Sequence, residues 1–215
     1  QQFDQSDLDV YLELLNIAHE TPFGIECSFT AYGLLKALGR STGAEQYRQL
    51  HAQLIRLRGG TVDMTDHKVR CFGGLIEGAI KDEITTAYTV SINPKWARYF
   101  KVGMWASLDI GQRRALGRSQ TAKALHAYYS THANPGPHRY ETLAAIIGLK
   151  NSNLRDSKAN LIKAHEALKQ VGFLKDFETG PDTITPKVNH TPSQAQYIAG
   201  KNAKSGTRRP RKELS

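Results

Sequence analysis

The 215 residues predict an α+β fold in which one small arrangement occurs twice, followed by a basic tail. Two pattern matches predict the repetition. "LLKALG" at 34–39 corresponds to "LAAIIG" at 143–148, and "LIRLRGGTV" at 54–62 corresponds to "LKQVGFL" at 168–174. Each half therefore reads short helix, glycine, turn, longer helix, glycine, β-hairpin. A helix-turn-helix followed by a hairpin wing is the winged-helix arrangement, and two in tandem are expected. The third observation is compositional. "HTPSQAQYIAGKNAKSGTRRPRKELS" is polar, contains Gly and Pro, and has almost nothing to bury, which predicts a disordered C-terminal tail. The expected boundaries are 1–107 for the N-terminal domain, 108–189 for the C-terminal domain and 190–215 for the tail.

Each element has its own signal. "DLDVYLELLNIAH" is helical, with Leu8, Tyr11, Leu12, Leu15 and Ala18 on one stripe. Val10, Leu14 and Ile17 lie off that stripe, so the helix is apolar on nearly every side and is expected to be buried or partly in a subunit interface. "FGIECSFT" is extended. "TAYGLLKALG" is a short helix with Thr30 as N-cap and Gly39 as its stop. In "GAEQYRQLHAQLIRLRGG" the residues Tyr47, Leu50, Leu54 and Leu57 recur at helical spacing. "TVDM" and "VRCFGGLIEGAI" predict two strands about a polar turn at 65–68, with a bulge at Gly73-Gly74. "AYTVSIN" alternates, with Tyr88, Val90 and Ile92 facing one way, and Asn93-Pro94 opens a short helix through Phe100.

The second half repeats the scheme. Residues 108–132 predict helix, broken near Gly117 and recapped at Ser119, and "NPGP" at 134–137 is a turn. "RYETLAAIIG" is a short helix with Leu143, Ile146 and Ile147 inward. A long helix follows, with Leu154, Leu161, Ala164 or His165, and Leu168 as its inward stripe. Phe173–Thr179 and Thr183–Val188 form a hairpin through Gly180-Pro181-Asp182.

The formal charge is +9, but its distribution matters more. From Lys187 onward seven basic residues face Glu213 alone, so that segment supplies +6 and leaves +3 for the rest. Net charge is thus a weak argument for nucleic acid, and local clustering has to carry it. Cys27 and Cys71 predict two free core thiols in a reducing, cytoplasmic compartment. No apolar run approaches a membrane span and no signal peptide opens the chain. The absence of an initial Met suggests a processed or trimmed chain.

In a helix-turn-helix unit the second helix enters the major groove and its leading residues reach base edges. In the second half those residues are Asn153, Arg155 and Lys158, with Ile162 or Lys163 a turn on. Arg suits guanine, Asn suits adenine and Lys suits phosphate. The first half offers a less basic set, Arg48, Gln49, Gln53 and Arg56, for phosphate or protein contacts. Between the halves Lys95, Arg98, Lys101, Arg113, Arg114 and Arg118 accumulate against Asp109 alone, which suits a phosphate backbone. In the tail Arg208, Arg209 and Arg211 would form a nonspecific phosphate-binding arm.

Catalysis is not expected. In "HAYYSTH" the pair Tyr128-Tyr129 has the look of a nicking nucleophile, but that chemistry needs a metal and no His-apolar-His motif is present. Tyr129 and His126 share a stripe with Ala122 and Leu125, which assigns them to a helix core. His165-Glu166 lacks a second ligand at zinc spacing, and no GxxxxGK[ST] loop exists. The expected sets of catalytic residues, metal ligands and cofactors are all empty.

"GGLIEGAIKDEITTAYTVSINPKWARYF", "RSQTAKALHAYYSTHANPGPHRYETLAAIIG" and "NLRDSKANLIKAHEALKQVGFL" together resemble the TrfA-type plasmid replication initiators, across about residues 8–188. The resemblance implies two winged-helix domains that bind directly repeated double-stranded DNA (iterons) at a plasmid origin. It also implies opening of an adjacent AT-rich segment and recruitment of the host helicase, DnaA and sliding clamp. It further implies a monomer–dimer equilibrium, plasmid copy control, no enzymatic activity and a bacterial cytoplasmic location beside plasmid or nucleoid. Two other readings stay open at this point: a winged-helix repressor, autoregulatory or not, and a nicking enzyme using Tyr128 or Tyr129.

Overall fold

The structure, a computed structural model, describes residues 3–19, 26–65, 69–100, 108–132, 134–149 and 153–190. The chain divides into two compact units, Gln1–Trp105 and Ala106–Ser215. No helix among the described residues is long and apolar enough to cross a membrane.

The first unit begins with α1 (Gln5–Ala18), started by a capping box. The Asp4 carboxylate accepts from the Asp7 amide at 3.0 Å, and the Asp7 carboxylate accepts from the Asp4 amide at 3.1 Å. The deepest residues of α1 are Val10 and Leu14, with Tyr11 and Ala18 beside them. The expected stripe of Leu8, Leu12 and Leu15 is only partly covered. With apolar residues all round, the wheel could not say which side would be inward.

Next come β1 (Glu26–Thr30), α2 (Ala31–Ala37) and α3 (Ala44–Gly59). Thr30 caps α2 by accepting from the Gly33 amide. Leu50, Leu54 and Leu57 turn α3 onto the core, where they meet Leu34, Leu35, Val90 and Ile92. Strands β2 (Val62–Thr65) and β3 (Arg70–Gly73) make a two-stranded hairpin of their own. Only then do β4 (Ile76–Lys81) and β5 (Ala87–Ile92) form a hairpin that joins β1, in the order β1-β5-β4. The wing of this unit is therefore β4–β5. The match of 54–62 to 168–174 leads into an inserted hairpin, one strand pair too early.

The bulge also moves. The register shifts between Ile76 and Gly78, not at Gly73-Gly74. Gly74 is required for close packing instead, since a Cβ there would lie 2.3 Å from the Arg58 carbonyl oxygen. Its own carbonyl accepts from Asn93 Nδ2 and Trp96 Nε1, both at 2.8 Å. Asn93 also accepts from the Lys95 amide, which ties the strand end to the 3-10 turn at Pro94–Phe100.

The second unit runs α4 (Ile110–Ala115), α5 (Gln120–Ser130), β6 (His138–Arg139), α6 (Tyr140–Ile146), α7 (Leu154–Gln170), β7 (Leu174–Thr179) and β8 (Thr183–Val188). Its sheet order, β6-β8-β7, repeats β1-β5-β4 of the first unit. Ser119 caps α5 as expected. Helix α7 ends at Gly172, whose φ of +75° a side chain adopts only under strain, and the chain turns directly into β7. Leu125, Tyr129, Leu143, Leu161, Leu168 and Ile184 make the centre of the core. Ile146 and Leu154, expected inward, are about half exposed at 47% and 48%, because each sits at an end of its helix where the core stops.

That core contains histidines. His165 Nδ1 lies 2.7 Å from the Leu161 carbonyl and Nε2 lies 2.9 Å from the Tyr129 hydroxyl. Both bonds are made by one neutral tautomer, in which Nδ1–H donates to Leu161 and Nε2 accepts from Tyr129. Burial pulls His165 down to about 4. Burial, helped by the Arg113 guanidinium, pulls His126 down to about 4 as well. Both are neutral in the fold and protonate near 6.5 when unfolded, so the unfolded chain binds protons first as pH falls. Stability is complete above about pH 6.5 and is lost progressively towards about pH 4. At about pH 5 each histidine should cost about 2 kcal/mol relative to about pH 7. Urea midpoints measured at those two pH values should show that drop, and His165→Gln should reduce it.

Candidate nucleic-acid interface

Helix α7 is built by a polar start and an apolar stripe. Asn153 is its N-cap: its side-chain oxygen accepts from the Asp156 amide at 2.7 Å, and its amide donates to Asp156 Oδ2 at 2.9 Å. Asp156 in the first turn suits the positive end of the helix dipole. The Asn153 carboxamide is thus occupied in starting the helix. Ser157, Leu161, Ala164, His165 and Leu168 face inward. Arg155, Ala159, Asn160 and Lys163 are left exposed.

Arg155 and Lys163 lie two turns apart, with small Ala159 between them and Asn160 alongside. Neither cation has a hydrogen bond or ion pair among the described residues. Asn160 is the functional candidate that sequence reasoning missed. Its signal was present, since it stands three residues before Lys163 and four after Asp156 on the polar face. Lys158 behaves differently. It is half-buried, with Nζ donating to the Pro181 carbonyl at 2.9 Å and lying 4.9 Å from the centroid of the Tyr140 ring.

The corresponding helix of the first unit, α3, uses its polar groups locally. Arg48 pairs with Glu45 at 2.6 Å, and Gln49 donates to the same carboxylate at 3.0 Å. Gln53 is 2% exposed, accepts from Arg40 at 2.8 Å and donates to the Ser6 hydroxyl at 2.8 Å. Arg56 grips Asp7 through Nε and Nη2, the latter at 2.7 Å, and Asp7 is itself buried. Gln53 and Arg56 therefore depart from the expected DNA-facing set. They fall off the leucine stripe on a wheel, but α1 covers that side of the helix too. The exposed side of α3 presents Arg48, Ala52, Ile55 and Arg58 instead. A cleft of about 540 Å³ opens between α3 and β4–β5, lined in part by His51, Ile55, Arg58, Ile80 and Tyr88.

Among the expected phosphate contacts, Arg113 is corrected. It is buried, and its Nη1 donates to the Lys123 carbonyl at 3.0 Å, tying α4 to α5. Arg114 and Arg118 are exposed at the end of α4. Lys101, Arg208, Arg209 and Arg211 lie outside the described residues, as does the side chain of Arg98. Tyr129 is buried against His165, and burial raises its pKa. The Tyr128 hydroxyl lies 3.1 Å from His138 Nε2. Among the described residues no group of three or more His, Cys, Asp or Glu could hold a metal ion.

Comparison with known proteins decides the family. The model of the TrfA protein family matches residues 2–187. The chain belongs to that family. The plasmid replication initiator protein TrfA of Escherichia coli is 23% identical over 184 residues, which cover 81% of this chain and 47% of that protein. The chain thus spans about half the length of this curated relative. A crystal structure of the Pi initiator protein in complex with iteron DNA superposes with a TM-score of 0.65 at 13% identity, covering 88% of this chain and 93% of that one. Domains 2 and 3 of RctB superpose with a TM-score of 0.54 at 10% identity, covering 86% and 82%. The likeness at these identities is one of fold, the winged-helix domains of replication initiators.

In this TrfA-family chain the fate of Arg56 separates a structural from a nucleic-acid role. Arg56→Ala leaves the Asp7 carboxylate buried without its cation and should destabilise the fold by about 3 kcal/mol. Urea unfolding should show that loss, while the salt dependence of DNA binding stays unchanged.

Proposed function

We propose that this chain is a plasmid replication initiator that binds repeated (iteron) double-stranded DNA at its origin through α7 of the second unit. The observation that carries the reading is the exposed face of α7. It sets Arg155, Asn160 and Lys163 on one side of a helix whose other side is fixed in the core, and neither cation is paired among the described residues. Arg and Asn are the side chains that read guanine and adenine edges bidentately, and Lys meets phosphate. The second helix of a helix-turn-helix unit is the element that reaches a major groove. Family membership and the fold shared with an initiator solved on iteron DNA support the same assignment.

On this reading Arg114 and Arg118 contact phosphates, with Arg208, Arg209 and Arg211 of the tail as a nonspecific arm. In the first unit Arg48 and Gln49 would meet DNA only by giving up Glu45. The chain acts by binding alone, without enzymatic activity. It opens DNA beside the repeats and hands the site to the host helicase, DnaA and sliding clamp, in the bacterial cytoplasm. A monomer–dimer equilibrium governs how much of it is competent to bind.

Arg155→Ala should weaken binding to the origin repeat by about 1–3 kcal/mol and relax base preference at one position. Binding to unrelated DNA should change much less. Titration of repeat and scrambled duplexes at one salt concentration checks this, and an unchanged affinity for the repeat would remove α7 from the reading.

A further inference from the structure

Lys158 stands where three elements of the second unit meet. Its Nζ donates to the Pro181 carbonyl in the turn between β7 and β8, at 2.9 Å. The same ammonium lies over the ring of Tyr140, the first residue of α6, at 4.9 Å from the centroid. The Tyr140 amide donates to the Asp182 carbonyl of that turn at 3.1 Å. At the other end of α7, Lys169 pairs with Asp176 of β7 at 2.8 Å. The β7–β8 hairpin thus runs back along α7, and its turn is held beside the helix's leading end.

We infer that Lys158 is a positioning residue for specific DNA binding, setting the spacing between the reading face of α7 and the tip of the wing. The inference rests on the reading of α7 as the DNA-facing helix. A duplex that receives Arg155 on α7 meets the Gly180–Asp182 turn next to it, so their separation sets which groove geometry fits both. Lys158 places one of its three donors on a carbonyl and sets its ammonium over an aromatic ring, which holds it against the turn. On this inference the cation acts on DNA through the turn it holds.

Lys158→Met keeps an unbranched side chain of similar length and removes both the bond to Pro181 and the charge over Tyr140. In the full chain this change should lower affinity for the origin repeat on the order of tenfold, about the effect of losing one aligned contact. Affinity for unrelated duplex and the salt dependence of binding should stay as they were. Lys158→Arg should restore most of the loss, since a guanidinium can both donate to Pro181 and stack on Tyr140. A direct phosphate contact would look different: both affinities would fall together, and the salt slope would drop by about 0.9. That result overturns the inference, and so does an unchanged affinity for the repeat in a folded Lys158→Met chain. Arg155→Ala measured alongside reports on α7 itself. If Arg155→Ala weakens repeat binding and Lys158→Met does not, the positioning role fails while the reading of α7 stands. If Arg155→Ala binds as well as the parent chain, the reading of α7 fails first.

Discussion

The rotation of α7 about its own axis is the constraint on which the candidate interface depends. Leu161 and Leu168 are fully buried two turns apart on the stripe, each contributing about 2 kcal/mol by leaving water. Such a stripe tolerates small rotations. His165 does not, because its Nε2 is bonded to the Tyr129 hydroxyl of α5 and would be left without that partner if the helix turned, while the Nδ1 bond to Leu161 lies within α7 and moves with it. Once His165 is set, Arg155, Ala159, Asn160 and Lys163 can only face outward. The buried polar bond therefore specifies the outer face as much as the leucines do.

The two units share one scaffold and use it differently. In α7 the local capping group is Asn153 with Asp156, which leaves Arg155 and Lys163 without partners among the described residues. In α3 the cations and amides are drawn inward or sideways, Arg56 to Asp7, Gln53 to Ser6 and Arg48 to Glu45. For Arg56 and Gln53 the cause lies in α1, whose start carries Asp7 and Ser6 against the side of α3, whereas Arg48 meets Glu45 within α3 itself. In the second unit the comparable tie is Arg113 to the Lys123 carbonyl, between α4 and α5, and it leaves α7 untouched. One shared pattern thus yields a helix with open polar groups and another with most of them engaged.

Local signals in the sequence were reliable where one residue decides one bond. Thr30, Gly117, Ser119 and Gly172 end or start helices where their chemistry requires it. Alternation placed Tyr88, Val90 and Ile92 on the buried face of β5. Tertiary choices were not legible. The apolar circumference of α1 hid that Val10 and Leu14 would be innermost. The inserted β2–β3 hairpin hid which hairpin is the first wing. Long side chains were the hardest, since Arg113, Arg56 and Lys158 each look solvated on a wheel yet reach a partner on another element. The reading face was visible as Arg155 and Lys163, and Asn160 was legible by the same helical spacing on the polar face.

Specific binding turns on which face of which helix meets DNA. A crystal structure of the chain bound to the repeat from its own plasmid origin tests this most directly. The expected complex has α7 in the major groove, with Arg155 and Asn160 at base edges and Lys163 at or near phosphate. A complex in which α7 faces solvent while the repeat is held elsewhere would contradict it.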